Sequence, residues 1–377
     1  MHFVDITMFY AAEGGGVNTY LNAKASWLRQ CSRVRHSILS PSVSTDSGSP
    51  ALVRVPGVAL PGLHGYRLPA PGASARILAR MQPDLIEAGD AGPAAWSALR
   101  VKRRLGVPAL AYYHSDLAQL SQARLGSVAM RAVRRYLAQL YRQFDMVLAP
   151  SRLMVQQLAS MGIAGAIHQP LGIDAGLFAP QRRSAALRAQ LQLAPDTRLL
   201  VYAGRFTPEK KLDVLVDAVA RLGRPYHLLL VGGGASLPKS RHVSVLAFMR
   251  DQRQLARLLA SCDLLVHPGD CETFGLIVLE AMACGLPVVA TTGGALAELV
   301  DERTGMLVAP NSAAALAEGI AALCQRDLRV LAQAARNKAL ALYDWSIIMP
   351  QLMHRYASLL ALHERADLEL ELDYVPE

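Results

Sequence analysis

The sequence predicts an α/β protein made of doubly wound parallel sheets, and three observations carry that prediction. Short apolar runs alternate with helix-patterned segments along the chain, at residues 3–8, 84–87, 108–113, 145–149, 198–203 and 228–231. Residues 262–292 read as one strand–loop–helix–strand unit: an apolar run to His267, a turn at Pro268-Gly269-Asp270, and a helical pattern over 276–284. That helix is stopped by Gly285 and Pro287, and a second buried run follows over 286–291. Finally, 377 residues are more than one ordinary core accommodates, so two domains are expected.

In the first half, the run 3–8 enters Glu13-Gly14-Gly15-Gly16 and then a helical pattern over 17–30. Glycine there lets a ligand approach backbone amides, although a ligand-free tight turn reads the same way. A dinucleotide fingerprint would require glycine where Thr19 stands, which argues against an NAD enzyme. Residues 56–72 alternate Pro and Gly with apolar residues and read as loop. The run that ends Tyr112-Tyr113-His114-Ser115-Asp116 places His114 at the carboxyl edge of a sheet, where ligands of open α/β sheets bind. Asp116 reads as a helix cap.

In the second half, residues 198–203 lead into Gly204-Arg205-Phe206-Thr207-Pro208-Glu209-Lys210-Lys211. A forked guanidinium and a point-charge ammonium five residues apart in a strand-to-helix turn suit a diphosphate. Residues 228–231 meet a second glycine turn, Gly232-Gly233-Gly234. In the 262–292 unit, Glu272 lies in the loop. Glu280 follows eight residues later among apolar Val278, Leu279, Ala281 and Met282, which leaves a solvated face residue and a buried ligand-binding carboxylate as the two readings. The backbone amides of Phe274, Gly275 and Leu276, at the helix start, form an anion site favoured by the helix dipole. One loop therefore offers a carboxylate to hydroxyls and amides to a phosphate, and a sugar nucleotide carries both groups.

The Glu272–Glu280 spacing with Phe274-Gly275 between, and Gly204-Arg205 ahead of Glu209-Lys210, resemble the signatures of retaining glycosyltransferases of family 4. The resemblance implies the GT-B fold: two Rossmann-like doubly wound domains facing across a cleft. The expected domains are an acceptor-side domain over 1–175 and a nucleotide-sugar domain over 176–344, with a helix over 345–365 packing back on the first. The resemblance also implies roles. Glu272 contacts donor-sugar hydroxyls, Glu280 the ribose, Arg205 and Lys210 the diphosphate. His114 lies near the reaction centre, Gly15 and Gly16 near donor phosphate and acceptor, and Gly233 in a nucleotide-facing loop. Lys211 departs from the family, which often has Gly there. Residues 246–250 fall where the base is framed but lack the usual Gly.

The expected reaction is metal-independent, retaining transfer of a sugar from a UDP- or GDP-linked donor to a hydroxyl acceptor, with no cofactor. The rival readings are a GT-B sugar-nucleotide epimerase and a catalytically silent GT-B subunit that only binds a partner. The chain has a net charge of +9, and the excess is confined to residues 1–175, with 18 Lys and Arg against 9 Asp and Glu; residues 176–377 balance at 21 each. Arg100, Lys102, Arg103, Arg104, Arg124, Arg131, Arg134, Arg135 and Arg142 cluster there. That face fits solvated helices or an anionic membrane surface, and with it a lipid-linked acceptor. Nucleic acid is disfavoured because few aromatics are interleaved. Five scattered cysteines without a C-x-x-C pair, no apolar run of 18 residues and no basic leader point to a cytoplasmic protein, peripheral at the membrane at most.

Overall fold

The computed structural model describes residues 1–11, 14–30, 33–42, 52–59, 66–235 and 240–372, without the side chains of 123–125 and 365–372. Glu13, Cys31 and residues 60–65 of the Pro/Gly-rich stretch lie outside the described residues. The chain divides into two compact units, Met1–Gln169 with Met349–Glu377, and Pro170–Ile348.

The first unit contains β1 (His2–Ile6), α1 (Gly16–Leu28), β2 (Arg35–Ser40), β3 (Leu52–Arg54), β4 (Gly57–Ala59), β5 (Arg67–Pro69) and α2 (Pro71–Arg80). It continues with β6 (Leu85–Ala88), α3 (Pro93–Leu105), β7 (Ala109–Tyr112), α4 (Leu117–Tyr141), β8 (Met146–Ala149), α5 (Arg152–Ser160) and β9 (Ile167–His168). Its parallel sheet has the order β3-β2-β1-β6-β7-β8-β9. Strands β1, β6 and β7 are buried at every position, as a sheet covered by helices on both faces requires. The stretch read as loop over 56–72 instead holds the antiparallel pair β4–β5 and the start of α2. Each strand is only three residues long, too short for its alternation to show in sequence.

The second unit contains α6 (Ala186–Gln190), β10 (Arg198–Phe206), α7 (Leu212–Leu222), β11 (Tyr226–Gly234), β12 (Val243–Leu246), α8 (Gln252–Ser261), β13 (Leu264–His267) and α9 (Leu276–Ala283). Then come β14 (Val288–Thr291), α10 (Leu296–Leu299), β15 (Gly305–Val308), α11 (Ala313–Cys324) and α12 (Leu328–Tyr343). Its sheet, order β12-β11-β10-β13-β14-β15, is also parallel. Two expectations are corrected here. Arg205 and Gly233 lie on strands, not in turns, because β10 and β11 stay paired through Gly204↔Gly232, Arg205↔Gly233 and Phe206↔Gly234. The glycines read as turn residues mark a close backbone approach instead. A Cβ on Gly232 would stand 1.9 Å from the Gly204 carbonyl oxygen.

The last helix, α13 (Trp345–Leu372), returns the chain to the first unit. A buried polar cluster fastens it there. The Lys24 ammonium donates to Asp5 Oδ1 at 2.6 Å and to the Tyr356 hydroxyl at 3.0 Å, and it lies 3.0 Å from Glu87 Oε1. His36 Nε2 meets Asp5 Oδ2 at 2.5 Å, and Tyr20 and Tyr356 both donate to Glu87. Burial pushes Glu87 up and Lys24 opposes it. Burial also raises Asp5, but Lys24 and His36 outweigh it and hold that carboxyl down. Among the described residues no helix is long and apolar enough to cross a membrane.

Candidate functional site

The loop after β13 is built from its backbone outward. Thr291 Oγ1 donates to the Gly269 carbonyl at 2.8 Å, and the Ala295 amide donates to the Glu272 carbonyl at 2.8 Å. The segment Gly293-Gly294 presses against it from the β14 side. Gly294 has φ +65°, and a Cβ there would stand 2.6 Å from the Glu272 amide nitrogen. Gly275 caps α9 in the left-handed region at φ +94°, which lets the loop turn directly into the helix. This turn leaves the Leu276 and Ile277 amides, in the first turn of α9, without a backbone or capping acceptor among the described residues. Phe274, expected among the substrate-facing residues, turns its ring into the core against Tyr343 (centroids 6.1 Å apart), so only its backbone is left for a ligand.

This loop brings Glu272 to two donors. Lys210 Nζ, from the turn after β10, bonds Glu272 Oε1, and His267 Nε2 lies 3.0 Å from the same oxygen. Burial pushes the Glu272 carboxyl up. The Lys210 ammonium and His267 outweigh it and hold Glu272 ionised, well below the usual carboxylate range. Its Oε2 has no hydrogen-bond partner among the described residues.

Glu280, on α9, is only 6% exposed, and its carboxyl makes no hydrogen bond or ion pair among the described residues. Burial alone pushes its carboxyl up to about 8. A buried carboxyl without a partner is costly, and its cost falls when a ligand hydroxyl reaches it. Arg205 is exposed on β10, with its guanidinium unpaired among the described residues. Its register partner Gly233 has nothing within 4 Å of a built Cβ, so the strand beside Arg205 is open. Lys211 takes the left-handed conformation, φ +53°, which accounts for glycine being favoured at that position.

In the first unit, His114 lies two residues beyond β7. Its ring stacks on Tyr112, centroids 4.2 Å apart and planes within 2°. Burial, and then the Lys24 charge, pull its pKa down to about 3, so the imidazole is neutral. Asp116 caps α4 by accepting from the Gln119 amide at 3.0 Å. Gly15 caps α1 with nothing within 4 Å of a built Cβ, Gly16 opens the helix, and Gly14 packs against the Asn18 side chain. A Cβ on Gly14 would stand 2.0 Å from Asn18 Oδ1.

The sequence reading missed His267. It ends β13 at the carboxyl edge, the same signal that singled out His114. Asp270 was missed as well; it accepts from Asn311 Nδ2 at 2.8 Å and holds the far side of the loop. Cys262, Cys284 and Cys324 are free thiols, and the Cys271 thiol donates to Asp270 Oδ1 at 3.1 Å.

Residues 14–176 match the family described as Glycosyltransferase Family 4, and residues 197–326 match Glycosyl transferases group 1. The chain is 32% identical over 287 residues, 74% of each chain, to a GDP-mannose-dependent alpha-mannosyltransferase of Mycobacterium tuberculosis (strain CDC 1551 / Oshkosh). It is 29% identical over 360 residues to a GDP-mannose-dependent alpha-(1-6)-phosphatidylinositol dimannoside mannosyltransferase of Mycobacterium tuberculosis (strain ATCC 25177 / H37Ra), covering 92% of this chain and 93% of that one. Among solved structures, sucrose-phosphate synthase from Thermosynechococcus elongatus superposes with a TM-score of 0.79 at 24% identity, over 96% of this chain and 100% of that chain, a likeness of fold.

Proposed function

The chain belongs to glycosyltransferase family 4 and has the GT-B fold, and from that premise we propose that it transfers mannose from GDP-mannose to a hydroxyl of an inositol-containing glycolipid, with retention of anomeric configuration. The observation that carries the reading is the unequal state of two carboxylates on one strand–loop–helix unit. Glu272 is ionised with one oxygen held and one free, and Glu280 is buried without a partner. The free oxygen of Glu272 accepts from sugar hydroxyls and fixes the donor. Glu280 binds the ribose.

Arg205, Lys210 and the first-turn amides of α9 stabilise the charge that develops on the diphosphate as it leaves. The departing phosphate takes the acceptor proton. Because these cations supply the charge that a metal ion would, the proposed reaction needs none. His114, Gly15 and Gly16, at the carboxyl edge of the first sheet, serve sugar and acceptor. The GDP-mannose dependence of the mycobacterial relatives supports guanine as the base and mannose as the sugar.

The proposal includes a membrane surface. Helices α3 and α4 contain no Asp or Glu, so none of their arginines has a carboxylate on the same helices to neutralise it. The two helices meet where Trp96 Nε1 donates to the Tyr136 hydroxyl at 3.0 Å. Trp96 and Val128 are 38% and 69% exposed beside this basic layer. An anionic leaflet attracts such a face by about 1 kcal/mol per cation near the surface.

The test is GDP release and mannosyl transfer from GDP-mannose in the presence of EDTA and of vesicles containing phosphatidylinositol dimannoside, with the product anomer read by NMR. An α-linked mannolipid formed in EDTA supports the proposal. Absence of transfer from GDP-mannose, or a β-linked product, overturns it. Equal co-sedimentation with neutral and anionic vesicles would sink the membrane component alone.

A further inference from the structure

We infer that His267 is a positioning residue of the donor site. Its ring holds one oxygen of Glu272 so that the other stays aimed at the donor sugar, and it keeps that hold when a diphosphate draws Lys210 away. The inference rests on the reading of Glu272 as the sugar-binding carboxylate.

The hydrogen bonds around the ring define its state. The Gly269 amide donates to His267 Nδ1 at 3.3 Å. That nitrogen is therefore the acceptor, and the ring proton sits on Nε2, which lies 3.0 Å from Glu272 Oε1. The turn that supplies the amide is itself pinned, since Thr291 Oγ1 holds the Gly269 carbonyl.

The ring has little room to move. The His267 side chain is 2% exposed, and the Tyr202 ring lies across it with centroids 5.6 Å apart. A Cβ on Gly269 would stand 3.0 Å from His267 Cε1. Tyr202 in turn donates its hydroxyl to the Arg205 carbonyl at 3.2 Å, so one aromatic supports both the histidine and the backbone of the diphosphate-facing arginine.

The two donors to Glu272 differ in kind. Lys210 is an ammonium on a flexible stem at the end of a short turn, its side chain 20% exposed. It is free to swing toward a diphosphate, which outcompetes a single carboxylate for a cation. His267 sits on a strand end and cannot follow. With donor bound, His267 is the donor left on Oε1, and it prevents the carboxylate from rotating to lose its aim at the sugar.

The test compares His267→Gln with His267→Asn, two neutral amides that differ by one methylene. Gln reaches the position of Nε2 and donates to Glu272; Asn reaches only the position of Nδ1. His267→Leu is the third variant. The probes are GDP-mannose, which carries the sugar, and GDP, which does not.

Loss of aim at the reacting sugar is expected to lower kcat/KM for GDP-mannose about 100-fold in His267→Leu and His267→Asn. His267→Gln is expected to recover at least about tenfold of that loss, because it restores the missing donor. Calorimetric affinity for GDP is expected to stay within about twofold of wild type in every variant that folds, since GDP makes no contact that depends on Glu272. Equal losses in Gln and Asn, or GDP affinity falling in step with GDP-mannose activity, overturn the role of His267. Wild-type protein that neither binds nor turns over GDP-mannose overturns the donor reading itself, and the inference with it.

Discussion

The molecule buries two sets of ionisable groups, one in each unit, and they are built to opposite ends. In the first, all four oxygens of Asp5 and Glu87 accept from Lys24, His36, Tyr20 or Tyr356. In the second, Glu272 keeps one oxygen and Glu280 its whole carboxyl without a partner among the described residues. Both clusters bear the desolvation cost of buried ionisable groups. Lys24 and His36 offset it in the first and Lys210 and His267 offset it at Glu272, whereas nothing offsets it at Glu280. A saturated cluster has nothing left for a ligand, and its partners, drawn from β1, α1, β2, β6 and α13, make it a fastening between distant parts of the chain. An unsaturated set keeps acceptors that a ligand can complete.

The comparison is broken most directly at Lys24. Lys24→Met leaves Asp5 and Glu87 buried without their cation, and a loss of about 3–5 kcal/mol in unfolding free energy is expected from denaturant titration. If the loss is below about 1 kcal/mol, the cluster is not a fastening. Lys210→Ala is the counterpart in the second unit. It removes a charge proposed to face the diphosphate, so kcat is expected to fall about 10²- to 10³-fold. The denaturation midpoint should move little, because His267 still holds Glu272. A large midpoint shift with intact kcat would reverse the roles assigned to the two clusters.

Glu280 sharpens the contrast through pH. Its carboxyl is raised from 4.5 to about 8 in the folded protein. Between those values the folded state holds a proton that the unfolded chain has released. Stability of the free protein therefore falls as pH climbs from about 4.5 to about 8 and levels off above. Glu280→Gln keeps the shape without the charge, so it should remove that slope and stabilise the free protein by roughly 2–4 kcal/mol at pH 8. A variant with the wild-type slope would show that Glu280 is not the group responsible. The smallest effect is expected at Lys211, whose left-handed backbone costs about 1 kcal/mol. Lys211→Gly should raise the melting temperature by a few degrees without lowering kcat; a fall in kcat would give the Lys211 ammonium a part in binding.

Which of these features the sequence displays depends on how local they are. Glu272 and Glu280, and Arg205 and Lys210, lie within short segments, so each could be singled out before any coordinates, although Arg205 lies on β10 and not in the expected turn. The glycine at the start of α9 and the strand ends around it were legible for the same reason. The extension of β10 and β11 was not, since a glycine for close strand approach and a glycine for a turn look alike in one dimension. The Lys24 cluster was invisible because it is assembled over long separations, Tyr356 from Lys24 by 332 residues. A lone lysine in a helical pattern reads as a solvated face residue. His267 was hidden for a different reason: it completes an apolar run and passes for the last residue of a buried strand.

The account stands or falls on whether Glu280 is left without a partner for the sake of a nucleotide. The measurement that decides this is calorimetric titration of GDP into wild type and Glu280→Gln at pH 8, with thermal melts of the same samples. The predicted result is a variant that melts higher than wild type and binds GDP at least about tenfold more weakly, as loss of a carboxylate hydrogen-bonded to ribose implies. Equal GDP affinity in the two proteins would contradict the account and make Glu280 a burden of the fold with no ligand to relieve it.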